Sequence, residues 1–229
     1  MQGIRGWISG MDIDFILKYY PLYVEAGILT LKIALIGIGG SLIVGLFASL
    51  IQYYKVPVLK RLVGAYIELS RNTPLLIQLF FLYFALPKIG IKLSSQACAI
   101  IGLIFLGGSY MSEAYRSGLE SVGDSQIDAG LSIGLKKYQV FLHVVLPQAI
   151  SVSVPAFAAN TIFLIKETSV FSAVALADLM YVAKDLIGLY YSTDEALLML
   201  VISYLIILLP ISIGFTLLER RLRYAGFGN

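Results

Sequence analysis

The chain is poor in the residues that carry chemistry. Its 229 residues include one cysteine and one histidine. The cysteine, Cys98, lies inside an apolar run, which excludes a disulfide framework and a cysteine metal motif and leaves a buried structural thiol as the expectation. His143 has no serine, cysteine or aspartate constellation around it and is expected at a surface rather than as a catalytic base. The glycines Gly37, Gly39, Gly40 and Gly45 lack the Gly-Lys-Ser/Thr ending of a phosphate loop and read instead as close helix packing. Charge is scarce as well: 14% of residues, against about 25% in soluble domains. The net charge of +3 does not suggest nucleic acid. Nothing resembles a cleavable signal peptide, because the leader carries Arg5, Asp12, Asp14 and Lys18 before the first strong apolar run near Ile28. With Phe15, Ile16, Tyr19 and Tyr20, residues 1–20 read as a short interfacial segment. No enzyme site, no metal and no cofactor of the chain's own are expected.

What the chain has in excess is apolar surface, at 59% of residues. That is more than one core of this size can hide, so lipid has to cover the rest. Uncharged runs extend over residues 33–54, 93–112, 144–165 and 196–218. Each supplies the roughly 20 residues that cross a hydrocarbon layer of about 30 Å. The shorter run 72–87 extends back through 62–69 if Glu68 and Arg71 are tolerated, which makes five spans. Continuous runs, not alternating ones, argue against a β-barrel. The fold expected is an all-α integral membrane protein, one permease-like domain over 1–229 with about five transmembrane helices.

Five spans put the termini on opposite sides. Arg5, Lys18, Lys88, Lys92, Lys166 and Lys184 fall on one side, six in all, and nine on the other: Lys55, Lys60, Arg61, Arg116, Lys136, Lys137, Arg220, Arg221 and Arg223. The excess of positive charge expected in cytoplasmic loops places the N-terminus outside and the C-terminus in the cytoplasm.

One stretch breaks the membrane pattern. Residues 118–147 are too long for a structureless connection and carry the signals of two short helices. Ser125 followed by Asp128 suggests a capping box. Ile127, Leu131 and Leu135 share one narrow apolar face. Gly134 suits the left-handed residue that ends a helix, and Tyr138, Phe141, Leu142 and Val145 give a second apolar face. Such a unit either lies on its own bundle or the lipid surface, or docks a cytoplasmic partner.

This segment resembles the cytoplasmic signature of ATP-binding-cassette (ABC) transporter permeases, E-A-A-x3-G-x9-I-x-L-P. Asp128, Ala129, Gly130, Gly134, Val144, Leu146 and Pro147 fall at its seven defined positions, with Asp, Gly and Val as conservative departures. The resemblance implies a type I importer permease whose residues 128–142 form a coupling helix seated in a cleft of a separate ATP-binding subunit. Leu131 and Tyr138 would then belong to that contact. The stretch from Arg71 to Phe81 is similar to the R-G-T-P-L-L-x-Q-x-F segment of polar amino-acid permeases, with Asn72 in place of Gly. Residues 110–118 are similar to their Y-x-A-E-x-x-R-x-G segment, and Lys166, Glu167, Thr168 and Ser169 to their K-D/E-T/S-S segment. Resemblance covers roughly residues 20–225. It implies an importer for amino acids of the histidine, glutamine, glutamate, arginine or cystine type. The partners it implies are two ATPase subunits that bind the ATP, a second copy of this permease or a related one, and an extracytoplasmic amino-acid-binding protein.

The residues themselves agree in kind. Ionisable groups inside spans are expensive and need partners or water, so Glu68, Arg71, Lys166 and Glu167 stand out. Arg71, Leu75 and Gln78 would share one face of a continuous helix, while Pro74 interrupts its ladder. A zwitterion needs donors for its carboxylate, available from Arg71, Lys166, Thr73, Thr168 and Ser169, and an acceptor for its ammonium, available from Glu167. Gln78 serves either end, and Asn160 is a further pathway candidate. The alternative for Glu68 with Arg71, and for Glu113 with Arg116, is self-neutralisation at i, i+3 on one helix. The competing function is an ion-gradient-driven secondary transporter of small polar solutes, which intramembrane charges would also suit.

Overall fold

A computed structural model describes residues 11–226, and no strand occurs among them. The interfacial segment expected over 1–20 lies outside the described residues up to position 10. From Ile13 the chain is already in α1 (Ile13–Tyr53), which the Asp12 carboxylate caps by accepting from Phe15 N at 3.0 Å. The helix thus starts well before the charge-free run, because Lys18, Glu25 and Lys32 all sit on its exposed side.

After a turn at 54–58 come α2 (Leu59–Arg71) and α3 (Leu75–Ile89), which meet at a bend of 103°. Helix α4 (Ser95–Glu120) returns across the bundle. Two short helices follow, α5 (Asp124–Ser132) and α6 (Lys137–Val140), the latter passing through one wide turn at Phe141–Val145 into α7 (Leu146–Glu167). A tight turn at Thr168–Val174 leads to α8 (Leu179–Tyr190) and then α9 (Thr193–Gly226). Four helical stretches are long and apolar enough to cross a membrane, and the bent pair α2–α3 makes up to five.

Small residues decide which helices touch. Along the α1–α4 seam, a Cβ on Gly37 would meet Leu103, one on Gly40 would meet Ile104, and one on Gly45 would lie 2.8 Å from the Ser112 backbone nitrogen. The expected packing role holds for these three; Gly39 faces open space. Ser41 reinforces the seam by donating to Gly37 O at 2.7 Å and Leu103 O at 3.2 Å. On the other flank of α4, Gly118 packs on Ala149 and Ser153 of α7, and Ser153 donates to Ala114 O at 2.9 Å. The core of Ile33, Leu75, Leu79, Leu103, Met111, Leu164 and Phe171 lies between these helices, with Cys98 buried as a free thiol beside it.

Candidate functional site

The chain departs from a straight fifth span at Asn72–Pro74, and that departure creates the site. Pro74 takes an extended conformation, φ −57° and ψ 141°, so the ladder stops at Arg71. Arg71, Leu75 and Gln78 therefore do not share one continuous helix face, as the i, i+4, i+7 spacing suggested. The carbonyls freed at the break are recaptured by local side chains. Thr73 Oγ1 donates to Leu69 O at 2.8 Å, and Gln78 Nε2 donates to Ser70 O at 3.1 Å and Thr73 O at 2.9 Å. Asn72 Nδ2 donates to the Glu68 carboxylate at 3.1 Å. Thr73 and Gln78 thus hold the bend, and Gln78 Oε1 stays buried without a hydrogen-bond partner among the described residues.

Beside the bend lies a cleft of about 320 Å³ between α2, α3, α4 and α7. Arg71 and Glu167 both line it, among Leu75, Leu106, Phe163 and Val170. Arg71 does not pair with Glu68 on its own helix. Its guanidinium lies 3.5 Å from Glu113 Oε2 on α4 and 5.2 Å from the Tyr110 ring centroid. That same Glu113 oxygen is taken more tightly by Arg116 at 2.9 Å, and Arg116 reaches Glu120 at 2.8 Å. The self-neutralising pair expected of Glu113 and Arg116 is present, extended at one end by Arg71 and at the other by Glu120. Tyr110 as a platform for Arg71 was not anticipated, and only its motif neighbourhood hinted at it.

The remaining candidates are scattered. Asn160 donates to Tyr110 O at 3.1 Å and ties α7 to α4. Thr168 is fully buried, donating to Ile165 O and facing the Tyr204 hydroxyl at 3.3 Å, so it turns into the bundle. Lys166 is exposed and Ser169 half-buried, and neither lines the cleft. Asp178, fully buried at the N-cap of α8, accepts from Tyr181 N at 2.8 Å, while its second oxygen has no partner among the described residues. Burial pushes its carboxyl up from 3.8 to about 7 against the opposing effects of that hydrogen bond and of Lys184.

At the far end of α4 sit α5 and α6. Helix α5 begins at Asp124 with Gly123 as its cap and no side-chain bond, so the expected Ser125 capping box does not form. Gly134 takes φ +89° and ends the helix as expected. Gly130 is buried against Val140, which sits with Leu119, Val122, Val145 and Ala149 in a small core. Asp128, Ala129, Gly134 and Pro147 are exposed and Leu146 half-buried. Of the expected apolar faces, Ile127, Leu135, Phe141 and Val145 pack inward, whereas Leu131, Tyr138 and Leu142 stay exposed at 38%, 59% and 49%, and Ile133 beside them is exposed at 78%. His143 is exposed, with Nδ1 at 2.9 Å from Gln139 O.

Charged residues at a cleft between membrane-spanning helices mark a candidate functional site of the kind a transport permease carries. The family follows from the sequence. Residues 41–224 match the model described as "Binding-protein-dependent transport system inner membrane component", and the chain belongs to that family of multi-pass membrane proteins. It is 31% identical to the probable glutamine ABC transporter permease GlnM of Bacillus subtilis, over 93% of this chain and 98% of that protein. It is 39% identical to the probable glutamine ABC transporter permease GlnP of the same organism, over 77% and 83%. Among solved structures, an amino acid ABC transporter crystallised with histidines matches with a TM-score of 0.86 at 29% identity, over 92% of this chain and 99% of that one. The MetNI methionine ABC transporter shares the fold at 21% identity, with a TM-score of 0.72. These relatives favour the ATP-driven reading over the ion-gradient one.

Proposed function

We propose that the chain is the membrane-embedded half of an ATP-driven importer for polar amino acids. One observation carries the reading: Arg71 and Glu167 line the same cleft among apolar side chains. A zwitterion entering it meets a cation for its carboxylate and an anion for its ammonium, in surroundings where both attractions are stronger than in water. Arg71 is available because its contact with Glu113, at 3.5 Å, is looser than a charge-assisted hydrogen bond of about 2.7–2.9 Å. Thr73 lines the cleft as well. Lys166, Thr168, Ser169, Gln78 and Asn160 shape or support the pathway from outside it.

The exposed Leu131, Ile133 and Tyr138, next to Asp128, Ala129 and Gly134, are an apolar surface in need of a partner. A separate ATP-binding subunit covers it in this reading, while Gly130 packs on Val140 within the segment and Leu146 and Pro147 begin α7 behind it. In this reading, which the positive-charge excess supports, this end and the C-terminus lie in the cytoplasm and the N-terminus outside. Five spans enclose only half a route, so a second copy or a related permease completes it, and an extracytoplasmic amino-acid-binding protein delivers the solute. The chain itself needs no cofactor and breaks no bond; ATP is held by the partner.

The test is uptake by the assembled complex. Arg71→Ala and Glu167→Gln are each expected to cut amino-acid uptake by about tenfold or more, the worth of one charged hydrogen bond, with ATPase association unchanged. Uptake should also survive collapse of the proton gradient while ATP lasts. Unaltered uptake in both variants would remove the cleft from the pathway, and uptake that follows the ion gradient would remove the ATP-driven reading.

A further inference from the structure

A second polar cavity, of about 420 Å³, opens where the end of α1, the 54–58 turn, the start of α2 and the end of α4 converge. Gln52, Tyr53, Lys55, Lys60, Arg116 and Glu120 line it. Its charges are unevenly spent. Arg116 is committed to Glu113 and Glu120, whereas neither Lys55 nor Lys60 forms an ion pair among the described residues. Helices normally place acids in their first turn, against the positive end of the helix dipole. Here α2 has none, and Lys60 and Arg61 stand there instead. Two lysines without an ion-pair partner among the described residues thus face one cavity, whose single lining carboxylate, Glu120, is already taken by Arg116.

The backbone holds this arrangement open. Lys55 and Val58 take φ +51° and +66°, left-handed values that residues with a side chain rarely adopt. Bonds from Lys55 N to Gln52 O, Val56 N to Ile51 O and Lys60 N to Val56 O, all near 3 Å, fix the turn.

The rim names the occupant. Tyr54, Val58, Leu59 and Leu62 are exposed at 59%, 72%, 45% and 61%, so an apolar fringe adjoins a cationic cavity at the end of a membrane helix. A molecule matching both has an anionic head and a hydrocarbon tail. We infer that this cavity is a binding site for the phosphate headgroup of an anionic phospholipid. The site lies on the cytoplasmic leaflet if the orientation proposed above holds, but lipid binding itself does not depend on that orientation. It also adjoins the coupling segment: Tyr54 meets Tyr53 edge-on, at 5.3 Å, and Phe141 in a tilted contact, at 6.1 Å, and Tyr53 packs on the core beneath α6. An occupied site braces the base on which the coupling segment sits.

The experiment uses the permease assembled with its ATPase, in nanodiscs of phosphatidylcholine with or without phosphatidylglycerol. Native mass spectrometry counts retained phosphatidylglycerol for wild type, Lys55→Gln/Lys60→Gln and Lys55→Arg/Lys60→Arg. The glutamine variant should lose retention on the order of tenfold, the arginine variant should keep it, and Lys88→Gln/Lys92→Gln, at the other end of the bundle, should change nothing. Inorganic phosphate should fail to displace the lipid. Equal retention in the glutamine variant and wild type overturns the site, as does an equal loss in the Lys88/Lys92 variant. Displacement by inorganic phosphate would make it a soluble-anion site, and loss of the ATPase with lipid retention unchanged would make it a subunit contact. Both outcomes overturn the proposal while leaving the uptake reading standing.

Discussion

The α1–α4 seam and the α2–α3 bend solve opposite problems with the same kinds of residue. Along the seam, glycines let two backbones approach, and Ser41 spends its hydroxyl on carbonyls of both helices. Nothing there can move without opening a void or a clash. At the bend, Thr73 and Gln78 spend their polar groups on carbonyls that Pro74 has orphaned. The seam is a rigid body; the bend is a local exception that exposes Arg71 to a cleft. A transporter needs both, a wall that does not deform and an irregular backbone where the solute passes.

The seam is broken most thoroughly by Gly45→Leu. Its side chain would run into the Met111 and Ser112 backbone, and overpacking of this kind costs about 1–3 kcal/mol or more. Loss of folded yield and a lower unfolding temperature in detergent are expected; wild-type yield would mean the seam can yield. Next in size is Leu131→Asp, which touches neither region because Leu131 is exposed. Stability should hold, while ATP hydrolysis coupled to uptake should fall by about tenfold, the effect of one buried charge at an interface. Normal coupling would take Leu131 off the ATPase contact.

The bend is probed by Gln78→Leu, which strips two carbonyls of their donor at a cost of about 1–3 kcal/mol. A modest drop in unfolding temperature with a larger drop in uptake is expected, and a drop in stability alone would make Gln78 purely structural. The smallest effect concerns Asp178. Its folded carboxyl holds a proton more tightly than an unfolded one, up to about 7 against 3.8. The resulting stability is full below the lower value and is lost as pH rises through the upper one. Hydrogen exchange at the start of α8 should therefore accelerate from pH 5 to 8 beyond its intrinsic rise, and Asp178→Asn should flatten that excess. An unchanged pH profile in the variant would assign the effect elsewhere.

Much of this was legible in advance, and the misses have physical causes. Four spans follow directly from charge-free runs, but α1 starts at Ile13, not near Ile33, because a charge on the exposed side of a helix does not end it. Pro74 announces an interruption, yet the size of the bend depends on side-chain caps that spacing does not reveal. The family motifs located the two segments of interest. They did not show that Thr168 turns inward or that Arg71 reaches across to α4 instead of along α2, which depend on helix rotation, nor that α5 would begin at Asp124 with Gly123 as its cap, which leaves Ser125 inside the helix.

Helix α1 has 41 residues, about 60 Å at 1.5 Å per residue, roughly twice the hydrocarbon thickness. One of its ends is joined to the coupling segment through Tyr54 and Phe141, the other to α8 through Phe15 and Tyr190. It is a strut with a tether at each end. A swing of about 5° about one tether carries the other through about 5 Å, given a rod of that length. The two faces of the membrane can thus be kept in step by the length of a single helix, with no chain of side-chain rearrangements between them.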